Sequence, residues 1–232
     1  MKKIKFGVVV FPGSNCDHDA YYALKKILGF DVTFLWHKDT NLNGIDAVVL
    51  PGGFSYGDYL RSGAIAKLSP IMNEVISFAE KGGIVIGICN GFQILAESKL
   101  LPGALLKNDS LKFICKDVYL KNVNSSKVFT NRLPHESVLK VQIAHGEGKY
   151  FADPETIREL EINGQVIFRY CDAEGTVAPA NNPNGSLNNI AGIVNKNGNV
   201  LGMMPHPERV CDPHLGNTDG QAIFWSIAKF LS

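Results

Sequence analysis

Apolar and polar positions follow two regimes along the chain. In the first, near-continuous apolar runs alternate with helical periodicity. Ile4 to Phe11 is such a run, the pattern of a strand buried on both faces of a parallel sheet. Asp31 to Trp36, Asp46 to Leu50 and Ile84 to Ile88 predict three more strands. Between them, Asp17 to Leu28 places Ala20, Leu24, Ile27 and Leu28 on one helical face, with Gly29 as its stop. Ser69-Pro70 predicts a serine-capped helix start with proline in the first position, carrying Ile71, Val75, Phe78 and Ala79 inward and ending at Gly82. Alternating strands and helices predict a doubly wound α/β sheet. In the second regime, Phe113 to Lys121, Val138 to Ala144 and Gln165 to Tyr170 read as strands separated by loops. Ile190 to Asn195 and Asn199 to Met204 flank Lys196-Asn197-Gly198, a hairpin signal, so this half adds a mixed or antiparallel extension. Thr218 to Gln221 fits a capping box opening a last helix with Phe224, Ile227, Ala228 and Leu231 on one face. There is no internal repeat, low-complexity tract or linker, so residues 1–232 are expected to form a single domain.

Composition narrows the function classes. Hydrophobic content of 45%, charged content of 19% and net charge +1 describe a globular chain with no bulk attraction to nucleic acid or anionic membrane. No apolar stretch approaches the roughly 18–20 residues of a membrane-spanning helix. Met1 to Val10 is basic and then apolar, but the run stops at Pro12-Gly13, which fits a first strand better than a signal peptide. The five cysteines, Cys16, Cys89, Cys115, Cys171 and Cys211, are odd in number and contain no C-x-x-C pair, so zinc and redox-pair readings have little support. Free thiols without a signal sequence point to the cytoplasm, where the Asn-x-Ser sequons at Asn108, Asn124 and Asn184 carry no meaning.

The chemistry concentrates on Cys89. The β-branched run Ile84 to Ile88 ends on this cysteine and breaks at once into Asn90-Gly91 before a helical segment. A strand that delivers a nucleophile into a tight turn before a helix is a nucleophile elbow. The N–H groups of the helix start favour a thiolate over a thiol. Alone, Cys89 would read as a buried small hydrophobe. Met203-Met204-Pro205-His206-Pro207-Glu208-Arg209 changes that reading, because His206 with Glu208 supplies an imidazole and the carboxylate that orients it. Pro51-Gly52-Gly53 follows the third strand, and Gly53 can bring a backbone N–H close to a developing oxyanion, with Asn90 N–H as the second donor. These three motifs fall at the carboxyl ends of strands, where open α/β sheets build their sites.

Gly87-Ile88-Cys89-Asn90-Gly91-Phe92-Gln93, Pro51-Gly52-Gly53 and Pro205-His206-Pro207-Glu208 resemble the motifs of the triad-type (class I) glutamine amidotransferases. Within them, Phe11 to Asp17, Pro51 to Arg61, His145-Gly146-Glu147-Gly148, Asn182 to Ser186 and Gly202 to Arg209 resemble the glutaminase subunits of phosphoribosylformylglycinamidine synthases, over essentially the whole chain. The resemblance implies an open, mostly parallel, flavodoxin-like sheet. It implies that Cys89 attacks glutamine and that His206 and Glu208 complete a triad. It also implies that Gln93 contacts the glutamine, against a plain alternative of capping or solvent exposure, with Gly52 and His145 assigned beside it. His145 has further readings, as a solvated or structurally bonded loop histidine or as a partner contact. His18, His37, His135 and His214 read as structural or surface residues.

The same resemblance implies that ammonia passes to a separate synthetase subunit, with a small accessory subunit, for ATP-dependent amidination of formylglycinamide ribonucleotide in purine biosynthesis. The chain has no G-x-x-x-x-G-K-[ST] sequence, and ATP with Mg is expected on the partner, with no cofactor or metal in this chain. The loop Phe54 to Arg61 is a candidate docking surface. The alternatives are the glutaminase subunit of another amidotransferase and a stand-alone cysteine γ-glutamyl hydrolase on the same fold. Asn122 to Ser137, Asp153 to Gly164 and Lys149 have no assigned role.

Overall fold

A computed structural model describes residues 4–42 and 44–232. The basic start of the Met1 to Val10 segment, residues 1–3, lies outside them. Eleven strands are present among the described residues: β1 (Lys5–Val10), β2 (Asp31–Trp36), β3 (Ala47–Leu50), β4 (Ile84–Ile88), β5 (Ala104–Leu106), β6 (Ile114–Asn122), β7 (Val138–His145), β8 (Lys149–Phe151), β9 (Val166–Cys171), β10 (Ile190–Val194) and β11 (Val200–Met203). Nine form one sheet in the order β2-β1-β3-β4-β11-β10-β9-β6-β7. Pairing is parallel from β2 through β11 and antiparallel from β11 through β7. The first half is thus the doubly wound, flavodoxin-like sheet, and the second half is its antiparallel extension. β5 and β8 form a separate two-stranded antiparallel pair that the sequence pattern does not predict, each strand being only three residues long.

The helices are α1 (Asp17–Tyr21), α2 (Pro70–Glu80), α3 (Asn90–Glu97), α4 (Pro154–Ile162) and α5 (Gln221–Leu231). β3 and β4 are buried at every position, since helices pack against the parallel strands and leave no solvent face to alternate toward. α1 runs on as a π-helical segment, Tyr22–Ile27, whose wider turn buries Ala23 and Leu24 together. α4 occupies the unassigned stretch Asp153 to Gly164, capped by Asp153, which accepts from Glu155 N and Thr156 N (3.1 and 3.0 Å). The unassigned loop before β7 is tied to α5, with Arg132 N donating to Ser226 Oγ (3.0 Å).

Two predicted caps are corrected. Ser69 does precede Pro70, but its hydroxyl makes no cap bond and instead meets Tyr56 Oη at 2.9 Å. Gly220, not Thr218, is the N-cap of α5, and no side chain caps it, so the capping box does not form. At Ser69 a tertiary contact takes the hydroxyl, and at the start of α5 the Gln221 side chain donates to Cys211 O (2.7 Å) rather than back to the helix start. No helix among the described residues is long and apolar enough to cross a membrane.

Candidate active site

Cys89 joins β4 to α3 with φ 51° and ψ −106°, a left-handed conformation unusual for a residue with a side chain. Bonds on both sides hold it there. Its N–H donates to Met203 O (2.8 Å), while Phe92 N and Gln93 N donate to its carbonyl (2.9 and 3.2 Å). Strain of about 1–3 kcal/mol persists only where surroundings over-determine it, and the elbow meets that condition. Gly91 is required by close approach, since a Cβ there would fall on the Leu50 carbonyl at the end of β3. Asn90 and Gly91 open α3, so the first N–H groups of that helix have no carbonyl one turn back.

β11 runs beside β4 with Met203 opposite Ile88, so the two chain segments leave the sheet side by side. His206 N then donates to Gln142 O (2.8 Å), which anchors the segment beyond β11 to β7. A short 3-10 turn, Pro207–Val210, folds Glu208 back, and His206 Nδ1 meets Glu208 Oε1 at 2.6 Å with both side chains buried. Burial alone drives the imidazole toward its neutral form. Glu208 and then Cys89 outweigh this, and the His206 pKa lies well above the ordinary value. Nε2 of His206 has no partner and is buried.

Gly52 lies where these groups meet. A Cβ there would come 2.7 Å from His206 Cε1, 3.2 Å from Cys16 Sγ and 3.4 Å from Cys89 Cβ. Cys16 is thus a second buried thiol at the same crossing, and it accepts from Arg209 Nη2 at 3.1 Å while Arg209 Nε donates to Asp19 Oδ2 (3.2 Å). Among the described residues, Cys16, His206 and Glu208 are the one set with donor atoms mutually within 4.8 Å that a metal ion could use. Of this set, His206 Nδ1 is held by Glu208 Oε1 and Cys16 Sγ by Arg209 Nη2, while His206 Nε2 and Glu208 Oε2 have no hydrogen-bond partner. Neither Cys16 nor Arg209 carried a role in the sequence reading, although both fall inside its motifs.

A cavity of about 120 Å³ opens on Cys89, and Gly53, Gln93 and His145 border it, together with Asp58 and Glu147. Gly53 has φ 125° and is bridged to Ser14. A larger cleft of about 600 Å³ borders Glu208 and Arg209 but does not include Cys89, so of these two spaces only the small cavity reaches the thiol. Asn90 is a hub: its Oδ1 accepts from Ser55 N (3.1 Å), and its Nδ2 donates to Asp58 Oδ1 (3.2 Å) and to Gln93 Oε1 (2.8 Å). Gln93 Nε2 donates to Glu147 O (2.6 Å), so the glutamine amide also positions the 145–148 segment.

His145 borders the cavity but has no ring nitrogen to offer a ligand. Nδ1 donates to Asn108 Oδ1 (3.0 Å), which also accepts from Gly148 N (3.1 Å), and Nε2 faces Asn184 Nδ2 at 3.5 Å. Burial, then His206, pushes its pKa down to about 4, so the ring is neutral. His145 thus lines the cavity wall while its ring nitrogens face the side chains of Asn108 and Asn184. Asn184 Nδ2 also donates to Gly148 O (2.9 Å), and Ser186 Oγ accepts from Tyr150 N (2.9 Å), which is what the Asn182-to-Ser186 motif does. Lys149 pairs with Asp109 at 2.5 Å. Of the other histidines, His37 is bonded to Tyr56 Oη (2.7 Å), and His18, His135 and His214 are exposed.

A protein named phosphoribosylformylglycinamidine synthase subunit PurQ, from Moorella thermoacetica, is 58% identical over 227 residues, covering 98% of this chain and 96% of that one. A chain in the structure of PurLQS from Thermotoga maritima is 43% identical with a TM-score of 0.87, each chain fully covered. Another glutamine amidotransferase from Thermotoga maritima, 14% identical with a TM-score of 0.57, shares the fold alone, over 100% of this chain and 94% of that one. The family model for the CobB/CobQ-like glutamine amidotransferase domain matches residues 3–224, and the chain belongs to that family.

Proposed function

We propose that this chain is the glutaminase subunit of a phosphoribosylformylglycinamidine synthase, working through Cys89, His206 and Glu208 with residues 1–232 acting as one domain. The observation that carries the chemistry is the elbow thiol beside a buried His206–Glu208 pair at 2.6 Å. In the reaction, Cys89 Sγ attacks the carboxamide carbon of glutamine. The N–H groups of Gly53 and Asn90 receive the oxyanion, each such donor being worth about 2.7–4 kcal/mol. The imidazolium of His206 gives its Nε2 proton to the departing nitrogen, since an amide anion cannot leave. Ammonia departs and a glutamyl thioester remains on Cys89. His206, now neutral, takes a proton from water as it attacks the thioester, and glutamate is released with the thiol restored. Glu208 keeps Nδ1 protonated and Nε2 turned to the reaction throughout.

The ammonia goes to a synthetase subunit, with help from a small accessory subunit, and the synthetase binds ATP with Mg and formylglycinamide ribonucleotide. This chain needs no cofactor or metal of its own. The rim beside the cavity supports a partner seated there: Phe54, Tyr59, Leu60 and Phe113 are all exposed, Leu60 at 91%. The complex works in the cytoplasm, in keeping with the free thiols. The test is reconstitution with candidate synthetase and accessory subunits. Glutamine-dependent amidination is expected, with Cys89→Ala abolishing it and leaving ammonia-dependent amidination intact. Turnover with ammonia but never with glutamine overturns the reading.

A further inference from the structure

Asp58 and Glu147 border the same cavity as Cys89, and neither is paired with a lysine or arginine among the described residues. Ser62 Oγ donates to Glu147 Oε2 (2.9 Å), and Asn90 Nδ2 donates to Asp58 Oδ1 (3.2 Å). These neutral donors orient the carboxylates without cancelling their charge. Two ionised carboxylates sharing a small cavity repel each other, and removing them from water is unfavourable without a cation. Burial first, and the Glu147 charge as well, hold the Asp58 carboxyl above the usual carboxylate range. The backbone is bent to put Asp58 there, with left-handed φ at Tyr56 (54°), Asp58 (53°) and Leu60 (70°). Independently, His206 Nε2 is buried without a partner, and Cys89 is among the groups that hold its charge. One end of the site therefore awaits a group that exchanges a proton, and its wall awaits a positive charge.

We propose that Asp58 and Glu147 bind the α-ammonium group of glutamine and make this site select an α-amino acid amide over amides that lack the amine. The inference rests on the glutaminase reading and deepens it. In glutamine the ammonium is the one cationic group, carried on the α-carbon three bonds from the reacting carboxamide carbon, so one ligand satisfies both ends. A divalent metal ion fits poorly, since it calls for six or more oxygen ligands and the pair offers two carboxylates.

The probe is glutaramate, which keeps the carboxamide and the carboxylate of glutamine but has no amine. In the reconstituted complex, the wild type is expected to prefer glutamine over glutaramate. Asp58→Asn and Glu147→Gln are each expected to lower kcat/KM for glutamine by about 10–100-fold, mostly through KM, the range for one charged hydrogen bond. Glutaramate turnover stays within about 3-fold, on the same principle that only the missing bond is lost. The preference for the amine therefore collapses. An unchanged preference in the variants, or an equal fall for both substrates, overturns the inference while leaving the glutaminase reading intact. A wild-type complex that never uses glutamine overturns both. Should the variants not fold, the wild type alone decides the matter through protection of Cys89 from iodoacetamide. Glutamine is expected to protect at about tenfold or more lower concentration than glutaramate, and equal protection overturns the inference.

Discussion

The imidazole of His206 occupies the space that a side chain on Gly52 would need, with its Cε1 only 2.7 Å from where that Cβ would lie. The same position faces Cys16 Sγ and Cys89 Cβ, so a single added methyl reaches three site groups at once. Gly52→Ala therefore moves the imidazole off the thiol, while the core strands below are untouched. Glutamine turnover is expected to fall by about 100-fold or more, the loss typical of a misplacement near 1 Å. Steady-state kinetics on the complex, with ammonia-dependent synthesis as the control, measures it. Wild-type kcat with glutamine in the variant would contradict the contact.

Glu208→Gln keeps the shape of the site but removes the charge that outweighs burial at His206. A triad that loses its carboxylate in this way drops by about 10⁴ in kcat in the serine-protease case, and a loss of about 10²–10⁴ is expected here. The pH dependence follows from the raised His206 value. The imidazolium persists above the ordinary value near 6.5, so the alkaline limb of the wild-type kcat/KM profile lies above that of an ordinary histidine. In the Gln variant this limb moves down. The stabilising contribution of the pair is fully present below the ordinary value and is lost as pH rises through the raised one. A wild-type alkaline limb at or below about 6.5 refutes the assignment.

Four of the five thiols should sort by environment. Cys115 is exposed and Cys89 opens on the cavity, whereas burial pushes Cys171 up to about 11 and raises Cys211 further. Brief iodoacetamide treatment at pH 7.5 is expected to label Cys115 and Cys89 and to spare Cys171 and Cys211, as read by peptide mass spectrometry. Glutamine should suppress the Cys89 label alone. Equal labelling of Cys211 and Cys89 would count against these environments.

Asn108 is fully buried and serves as the keystone of the segment beyond β7, donating to Lys112 O and His145 O (both 2.9 Å) while accepting from His145 Nδ1 and Gly148 N. Asn108→Ala strands several buried groups, at about 1–3 kcal/mol each. A destabilisation of about 3 kcal/mol or more in urea unfolding is expected, together with loss of glutamine turnover as Glu147 and Gln93 lose their frame. A change below about 0.5 kcal/mol, the size of an ordinary surface substitution, would show that the frame stands without it.

Much of this site was legible because it is local. The apolar run Ile84 to Ile88 breaking at Cys89 announced the elbow, and Pro205-His206-Pro207-Glu208 announced the imidazole–carboxylate pair, because steric rules of turns and short spacings act within a few residues. Their meeting was also foreseeable, since parallel strands place their carboxyl ends together, as Met203 beside Ile88 does. Other features were closed to the sequence. Arg209 on Cys16, Ser62 on Glu147 and Asn184 at Gly148 join residues 193, 85 and 36 positions apart, and no local pattern names such partners. Ser69 shows the limit from the other side: its spacing from Pro70 is that of a cap, yet its hydroxyl turns to Tyr56. Periodicity and backbone sterics determine which segments become strands, helices and turns. Only the packed tertiary structure decides which buried polar groups find each other, because each must satisfy its hydrogen bonds with whatever the fold brings within reach.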